Sequence, residues 1–230
     1  MKKVAILQSN YIPWKGYFDL INSVDEFIFY DSAQYTDRDW RNRNLIKTKA
    51  GLKWLTVPVQ APYQEFLPIA EVRIATEAKK WQQKHWKTIV ANYAAAPYFK
   101  LYSNRFEALY LNFPFQYLGT LNQTLIAEIC RILNIETTFK NSSEFKQEGN
   151  KSEKLLNMCL QAKTEVYVSG PAAKAYLDEK LFTEAGIKVE WMNYENYPEY
   201  QQFYPPFTHN VSILDLLFHT GPNARKFMKS

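Results

Sequence analysis

The sequence has few cysteines and no long apolar run, and both absences limit the class of protein. Its 230 residues include only two cysteines, Cys130 and Cys159, without CxxC spacing, so we expect buried thiols and neither a disulfide nor a metal site. No apolar stretch approaches the roughly 20 residues that a transmembrane helix needs. The N-terminal apolar stretch is too short for a signal peptide, which predicts a cytoplasmic protein.

Several catalytic and nucleic-acid-binding patterns are also missing. The motifs GxSxG, GxxxxGK[ST] and HExxH do not occur, so a nucleophile-elbow hydrolase, a P-loop enzyme and a zinc protease have no sequence support. The formal net charge of +5 favours anionic ligands, but the sequence has no long Lys/Arg stripe. We therefore predict an anionic small-molecule partner and no nucleic acid. The residue pattern identifies no cofactor and no oligomeric state.

Short apolar runs alternate with helical patterns along most of the chain. Runs without polar alternation are typical of strands buried on both faces of a parallel sheet. The predicted strands are residues 4–7, 27–30, 53–60 (an edge or terminal strand), 165–168 and 187–191. The predicted helices are residues 17–26, 118–133, 152–163, 172–186 and 210–218. Ser152 is expected to cap the third of them and Gly186 to end the fourth. Asp215, in the last helix, is expected to be solvated or, alternatively, to support a residue of the site. This order predicts one α/β domain over residues 1–230, with a mostly parallel central sheet flanked by helices.

Residues 76–135 are predicted to form a helical insertion between the strands of the sheet. His85 and apolar residues recur every four positions between Trp81 and Tyr93, and Pro97 ends the pattern. His85 therefore lies on an apolar helix face. A histidine in that position is either a hydrogen-bonded core residue or a general base, because its pKa can shift in either direction.

The densest group of polar and charged residues lies between residues 31 and 47. Residues 36–49 contain five cations and two carboxylates, a local charge of +3 (five minus two) and more than half of the formal +5. The cations are Arg38, Arg41, Arg43, Lys47 and Lys49. Guanidinium groups bind phosphate or carboxylate through a planar fork, and Trp40 offers a face for a sugar, base or cation. We interpret this basic segment as a binding site for an anionic small molecule, the alternative being a solvated basic loop.

The spacing of two arginines within the basic segment makes a specific prediction. If the segment is extended, Arg41 and Arg43 lie on the same side and Asn42 faces away. Both guanidinium groups can then hold one phosphate or carboxylate. If the segment is helical, the two side chains diverge.

Polar residues follow each of the first two predicted strands. Asn10 and Tyr11 come shortly after the first strand, and Asp31 and Gln34 follow the second. Because the carboxyl ends of parallel strands meet at one edge of a sheet, we expect these residues and the basic segment to line a single cleft. The Pro-Trp loop after Tyr11 is either a wall of this cleft or a packed turn.

Six sequence segments, spread over nearly the whole chain, carry a family resemblance. They read AILQSNYIPWKGYFDLI, YDSAQYTDRDWRNRNLIK, WLTVPV, KSEKLLNMC, YVSGPAAKAYLDEKLF and SILDLLFHTGP. Together they resemble the WbqC-like family. The family occurs with bacterial surface-polysaccharide genes, so the resemblance implies a role in the biosynthesis of O-antigen or a related glycan, with glycyl or other acyl transfer as an implied activity.

The resemblance also implies which residues belong to the site. The motif positions are Gln8, Tyr11, Pro13, Trp14, Gly16, Asp31, Gln34, Trp40, Arg41, Asn42, Arg43, Lys47, His85, Lys151, Ser169, Gly170, Tyr176, Asp178, Ser212 and Asp215. The cleft argument adds Asn10 and Arg38 to the predicted substrate-binding residues.

A more distant likeness connects the first loop to nucleotidyltransferases of the HxGH type, which have a Rossmann-like fold. The segment Trp14-Lys15-Gly16-Tyr17 has the outline of that motif, in which a loop with Pro and Gly precedes a helix. Trp14 and Tyr17 stand where the two phosphate-contacting histidines would be. The likeness therefore implies a related fold with an altered ligand.

These observations together predict a transferase that modifies a nucleotide-linked or lipid-linked sugar. The cations of the basic segment would hold anionic groups of a nucleotide sugar or an activated acyl donor, with His85 or Asp31 as general base. In acyl transfer the substrate can supply the nucleophilic amine or hydroxyl, so no Ser or Cys motif is required. The alternatives are a non-catalytic module that binds an anionic glycan precursor or a partner protein, and a nucleotidyltransferase-like enzyme.

Overall fold

The computed structural model describes residues 1–61, 66–75 and 80–230, which form nine strands and seven α-helices. The strands are β1 (Lys3–Leu7), β2 (Glu26–Phe29), β3 (Arg43–Thr48), β4 (Gly51–Thr56), β5 (Val59–Gln60), β6 (Arg73–Ile74), β7 (Thr138–Asn141), β8 (Val166–Ser169) and β9 (Lys188–Trp191). The helices are α1 (Lys15–Asn22), α2 (Trp81–Tyr93), α3 (Phe99–Leu111), α4 (Leu118–Leu133), α5 (Lys151–Gln161), α6 (Glu179–Glu184) and α7 (Ile213–Thr220).

Five of these strands form a central sheet in the order β7-β2-β1-β8-β9. Every neighbouring pair in this sheet is parallel, which confirms the predicted α/β fold with a parallel central sheet and flanking helices. The chain builds outward from β1 to β7 on one side and then crosses back to place β8 and β9 on the other. In a doubly wound sheet this reversal between β1 and β8 is the point where ligands bind, outside the carboxyl ends of the strands.

Helices cover both faces of the central sheet because successive residues of a strand point to opposite sides. In β1, Val4 and Ile6 pack with the apolar residues of α5 and α6. Ala5, between them, packs into a larger core built with α1, α2, α3, α4 and α7. With both faces covered, the strand ends are the open part of the sheet.

The helices α2, α3 and α4 lie between β6 and β7 in the sequence, over residues 81–133. This agrees with the expected helical segment at about residues 76–135, of which residues 76–79 lie outside the described residues. The boundaries of α4 match the prediction, residue for residue. The assignment of the whole chain to one domain stays a prediction.

The region after β2 contains two antiparallel pairs that are separate from the central sheet. Strand β3 pairs with β4, and β5 pairs with β6. The predicted strand at residues 53–60 is therefore two strands, interrupted at Val57 and Pro58. This hairpin of β3 and β4 places the basic segment beside the central sheet.

Several local predictions are corrected by tertiary contacts. Helix α5 is capped by Asn150, whose side chain accepts a hydrogen bond from the Ser152 amide at 3.0 Å, so Ser152 is inside the helix. The predicted helix 172–186 is a 3-10 turn followed by the short α6, with Asp178 as its N-cap. Gly186 follows α6 with a positive φ of +77°, as expected for a residue that ends a helix.

Two further observations concern buried groups. Asp215 is fully buried in α7, so the prediction of a solvated position is wrong. Its carboxylate accepts hydrogen bonds from the hydroxyls of Tyr93 and Tyr200, each at 2.8 Å. Both cysteines are free and buried, as predicted, and burial raises the pKa of each thiol to about 12.

The helices of the described residues are also informative about membranes. None of them is long and apolar enough to cross a bilayer.

Candidate functional site

The larger of two cavities at the carboxyl edge of the central sheet has a volume of about 720 Å³, and we call it the main cavity. It is lined by the ends of β1 and β8, the residues after β2 and the first turn of α5. The polar side chains in its lining are Gln8, Tyr30, Ser32, Gln34, Thr36, Gln147, Asn150, Lys151, Lys154, Tyr167, Ser169 and Tyr176. It therefore lies at the switch point between β1 and β8, where the sheet topology favours ligand binding.

Two loops at the switch point bring distant parts of the sequence together. Gln8 directly follows β1, Ser169 ends β8 and Gly170 follows it, so the parallel pairing of these strands brings all three to one edge of the sheet, where they line the main cavity. The residues at the centre of each strand are buried. The family resemblance predicts all three as substrate-binding residues, and that role stays a prediction.

The first turn of α5 forms a cationic rim on the main cavity. Lys151 and Lys154 are three positions apart, so they lie on the same side of the helix. Among the described residues, no carboxylate is within ion-pair distance of either ammonium group, and neither donates a hydrogen bond. The Asn150 side chain already accepts the amides of Ser152 and Glu153, so an anion at this rim is bound chiefly by the lysines.

Gln34 and the residues after β2 form the opposite wall of the main cavity. The Gln34 side chain accepts a hydrogen bond from the Leu67 amide at 3.0 Å and donates one to the Tyr35 carbonyl at 3.0 Å. Ser32 donates to Gln147 at 2.6 Å, which ties this wall to the loop before α5. These bonds fix the shape of the cavity and leave Gln34 one N–H donor and one lone pair of its oxygen.

Asp31 is buried behind the main cavity and does not line it. Its two carboxylate oxygens accept hydrogen bonds from the Ser9 amide and from the Gln123 side chain, each at 2.8 Å. Burial raises the pKa of Asp31, while those hydrogen bonds and the Arg41 charge act in the opposite direction. The geometry thus fixes the loop after β1 to α4 through a carboxylate at the end of β2.

Arg41 points inward from the basic segment. One of its terminal nitrogens donates to the side-chain oxygen of Asn10, the other lies 3.6 Å from the Asp39 carboxylate, and only 12% of the side chain is exposed. Burial lowers the pKa of Arg41, and the nearby Asp39 carboxylate is the largest opposing influence. Its Nε atom is buried without a hydrogen-bond partner among the described residues.

Arg43 and Arg38 occupy a different environment from Arg41. Arg43 begins β3, donates to the Arg38 carbonyl and stacks over the Trp54 ring, with its guanidinium carbon 4.2 Å from the ring centroid. Arg38 is largely exposed and lies 3.7 Å from Asp37. Arg41 and Arg43 therefore contact different groups, because Arg41 precedes the strand in which Arg43 lies.

Three asparagines hold the loops that surround the site. The Asn42 amide donates to the Val57 carbonyl at 3.0 Å and is buried, which places it away from the cavities. Asn44 donates to the carbonyls of Tyr11 and Ile12, and Asn122 donates to the Arg41 carbonyl at 2.8 Å. These bonds fix the backbone after β1 against the basic segment.

His85 lies in a buried aromatic cluster and lines neither of the two cavities. Its Nδ1 is 2.8 Å from the Tyr11 hydroxyl, which is in turn 2.5 Å from the Tyr110 hydroxyl. Burial lowers the pKa of His85 to about 4, so the imidazole is neutral at neutral pH. Tyr11 is completely buried by the same contacts.

Lys47 is also directed inward, away from the main cavity. Its ammonium group donates to the side-chain oxygen of Gln202 at 2.6 Å and to the Pro206 carbonyl, and the side chain is nearly buried. Its backbone amide donates to the Tyr93 hydroxyl at 3.0 Å. In this position Lys47 fastens the loop before α7 to β3.

A second, smaller cavity of about 170 Å³ opens beside the loop after β1, and we call it the small cavity. Its lining residues are Asn10, Pro13, Trp14, Trp40, Asn44 and Asn210. The Trp14 indole lies directly against Gly16, where an added Cβ would be 2.4 Å from the ring. The Trp14 ring therefore covers the first turn of α1. The segment with a distant likeness to the HxGH motif lies in this turn.

The predicted substrate-binding residues thus fall into three groups. Gln8, Gln34, Lys151, Ser169 and Gly170 line the main cavity, and Asn10, Trp14 and Trp40 line the small cavity. The remaining ones, which line neither cavity, are Tyr11, Arg38, Arg41, Asn42, Arg43 and Lys47. The predicted catalytic residues Asp31 and His85 also line neither.

Sequence reasoning missed one cation of the main cavity. Lys154 was not singled out, although its spacing of three from Lys151 places both on one side of α5. No sequence pattern marks Ser32 and Gln147 as cavity residues, because their hydrogen bond joins two segments that are distant in the sequence.

The fold and the cavities define a doubly wound α/β protein with a cavity at its switch point. A model of the WbqC-like protein family matches residues 8–227, and the chain belongs to that family. It is 47% identical over 229 residues to the uncharacterized protein Rv1507c of Mycobacterium tuberculosis, and the match covers 100% of this chain and 98% of that protein. No solved structure matches the chain.

Proposed function

We propose that the protein is a transferase that binds a nucleotide-linked or lipid-linked sugar in the main cavity and modifies it during the synthesis of a bacterial surface polysaccharide. Membership of the WbqC-like family supports the biosynthetic role. The observation that carries the binding site is the pair of lysines, Lys151 and Lys154, on the rim of the main cavity. The proposed location is the cytoplasm, as the sequence predicts.

The size and charge of the main cavity fit this class of ligand. Its volume of about 720 Å³ lies within the range of roughly 300–1,000 Å³ that is usual for small-molecule sites. Two ammonium groups close together suit a diphosphate, because each binds phosphate as a point charge. Tyr30 and Tyr176 add aromatic surface on the same cavity. Together they match a substrate with a charged linkage and a ring.

The proposed reaction is the transfer of a glycyl or other acyl group to the sugar. An amine or hydroxyl of the sugar attacks the acyl carbonyl, a new amide or ester bond forms, and the bond to the leaving group of the donor breaks. A base accepts the proton of the nucleophile. Asp31 and His85 stay the predicted bases, although neither lines the main cavity.

A binding module without catalysis is the second candidate, and one observation favours it. Among the described residues that line the main cavity there is no histidine, cysteine, aspartate or glutamate. A cavity of this kind can hold an anionic glycan precursor without transforming it. A nucleotidyltransferase-like enzyme is less well supported, because Trp14 covers the turn where the HxGH motif would bind phosphates.

Ligand titration of matched variants tests the binding site. Calorimetry with nucleoside diphosphate sugars should show affinity weakened at least about tenfold in the double variant Lys151→Ala/Lys154→Ala, since a hydrogen bond to a charged group contributes about 1.5–3 kcal/mol. Lys100→Ala removes an exposed lysine of α3 and is the control, expected to bind normally. Equal affinity in all three proteins, or no binding to the wild type, would contradict the proposed site.

A turnover assay separates the two candidate functions. Purified protein is incubated with nucleotide sugars and activated glycine, and the products are weighed by mass spectrometry. A product heavier by one glycyl group supports the transferase. Tight binding without any mass change across the panel supports the binding module instead.

A further inference from the structure

The small cavity has a lining unlike that of the main cavity. No charged side chain contributes to it, and its walls are two indole rings, one proline and three asparagines. Its volume of about 170 Å³ is below the roughly 300 Å³ at which drug-sized sites begin, so it holds one small unit and not a whole nucleotide. The main cavity, by contrast, is rimmed by cations.

Two of the three asparagines that line the small cavity have amide groups available to a ligand, and Asn44 does not. Asn44 uses its amide to hold the Tyr11 and Ile12 carbonyls, and its side-chain oxygen accepts the Leu45 amide. Asn10 accepts a bond from Arg41, but its NH₂ group has no partner among the described residues. The Asn210 side chain likewise makes no hydrogen bond within the described part of the chain. Both amides can bond to a ligand.

This combination of groups selects a particular chemistry. Indole rings pack against the apolar C–H face of a flat ring, and neutral amides donate to and accept from hydroxyl groups. A pyranose ring presents both kinds of surface at once. We infer that the small cavity is a binding site for a single sugar ring, held between Trp14 and Trp40 and hydrogen-bonded by Asn10 and Asn210.

The walls of this site are fixed before any ligand arrives. The Trp40 carbonyl accepts the Tyr11 amide at 3.0 Å, which ties the basic segment to the loop after β1. The Trp14 ring packs edge-on against Tyr194 and Tyr197, with ring centroids 5.1 and 5.8 Å apart. A preformed cavity does not have to order these side chains on binding, so less affinity is lost.

One residue connects the small cavity to the main cavity. Tyr194 packs against Trp14, and a Cβ at Gly170 would lie 3.6 Å from its hydroxyl. A sugar with an anionic linkage can therefore place its charged part in the main cavity and its ring in the small one. This assignment deepens the proposed function and rests on it.

A pair of tryptophan variants tests the sugar site. Trp40 and Trp54 are 43% and 40% exposed and lie in contact, with ring centroids 5.4 Å apart, but only Trp40 lines the small cavity. Saturation-transfer NMR with free hexoses and N-acetylhexosamines should show binding to the wild type. Trp40→Ala should weaken it at least about tenfold, or about 1.4 kcal/mol, while Trp54→Ala changes it less than about twofold. Equal losses in both variants, or no binding of any free sugar to the wild type, would overturn the inference.

A second comparison keeps the sugar site distinct from the proposed function. In the variant Lys151→Ala/Lys154→Ala, free-sugar binding should be unchanged while nucleoside diphosphate binding weakens at least about tenfold. If nucleoside diphosphates fail to bind the wild type but free sugars bind and depend on Trp40, the proposed function fails and the sugar site stands. If nucleoside diphosphates bind and free sugars do not, the reverse holds.

Discussion

The basic segment at residues 36–49 and the start of α5 both carry cations, but the two regions use them differently. In the basic segment, Arg41 is paired with Asn10, Arg43 is stacked on Trp54, and Lys47 is bonded to the loop before α7. At the start of α5, Lys151 and Lys154 have no partner among the described residues and line the main cavity. The basic segment therefore has the higher density of charge, but its cations are more often bound to other groups of the protein than the two lysines of α5 are.

This difference has a physical cause. A cation packed against the fold needs hydrogen-bond acceptors, because burying it without them is costly. The basic segment crosses the loop after β1 and the loop before α7, and these loops supply carbonyl and amide oxygens. The first turn of α5 lies beside the main cavity, where neither lysine donates a hydrogen bond within the described part of the chain. Charge density alone does not distinguish structural from ligand-binding cations.

Replacing Lys47 should give the largest effect on stability. Lys47→Met removes two hydrogen bonds that a buried ammonium group donates. A hydrogen bond to a charged group contributes about 1.5–3 kcal/mol, so at the lower figure for each bond we expect the free energy of unfolding to fall by about 3 kcal/mol. Denaturant unfolding measures this loss. Lys49→Met, at an exposed position, is the control and should stay within about 0.5 kcal/mol of the wild type. A stable Lys47→Met with lost ligand binding would move Lys47 to the ligand-binding group.

The protonation of His85 should make stability depend on pH. Burial lowers its folded-state pKa from 6.5 to about 4, so between these two pKa values the unfolded chain takes up the proton and the folded protein does not. Stability should therefore be lost as the pH falls, by about 2 kcal/mol between roughly pH 7 and pH 5, at about 1.4 kcal/mol per pKa unit. His85→Gln should flatten this part of the curve of unfolding free energy against pH. The same pH slope in both proteins would show that His85 is not buried in its neutral form.

The His85 variant also addresses the predicted general base. If His85→Gln binds nucleotide sugars normally but forms no product, His85 takes part in the reaction. If it retains turnover near neutral pH, its role is confined to the core formed with Tyr11.

Replacing Arg41 should have an intermediate effect. Arg41→Ala removes the bond to Asn10 and the charge beside Asp39, and we expect a loss of about 1.5 kcal/mol of unfolding free energy. Binding of nucleotide sugars should weaken as well, because Arg41 holds Asn10, which lines the small cavity. Thermal melting and calorimetry on the same protein measure the two effects. Normal melting together with weak binding would place Arg41 with the free lysines of α5.

Replacing Arg43 should have the smallest effect. Its stacking on Trp54 at a half-buried site contributes about 0.5–1 kcal/mol, so Arg43→Ala should melt nearly as the wild type does. Nucleotide sugar binding should change less than about twofold, since Arg43 lines neither cavity. A tenfold loss of binding would show that Arg43 and Arg41 act together, as their spacing in the sequence first indicated.

Local sequence patterns predicted most elements of the fold. The apolar runs of β1, β2 and β8 and the periodicity of α4 and α5 were sufficient, because burial on one or both faces leaves a repeating signal. Strand β7 was missed, since its residues TFKN are partly polar and it lies at the edge of the sheet. The family could be predicted from motifs that are continuous in the sequence.

The amino-acid pattern is enough to predict the α/β class, the order of the main elements and the residue types gathered near the strand ends. Which of those residues face a cavity depends on the assembled fold. Gln8 and Ser169 line the same cavity because β1 pairs with β8, and Lys154 joins them because α5 packs beside that pair. Asp31, His85 and Lys47 turn inward because partners from distant segments satisfy their polar atoms. A local pattern carries the helical or strand period of a residue, whereas its hydrogen-bond partners depend on the assembled fold.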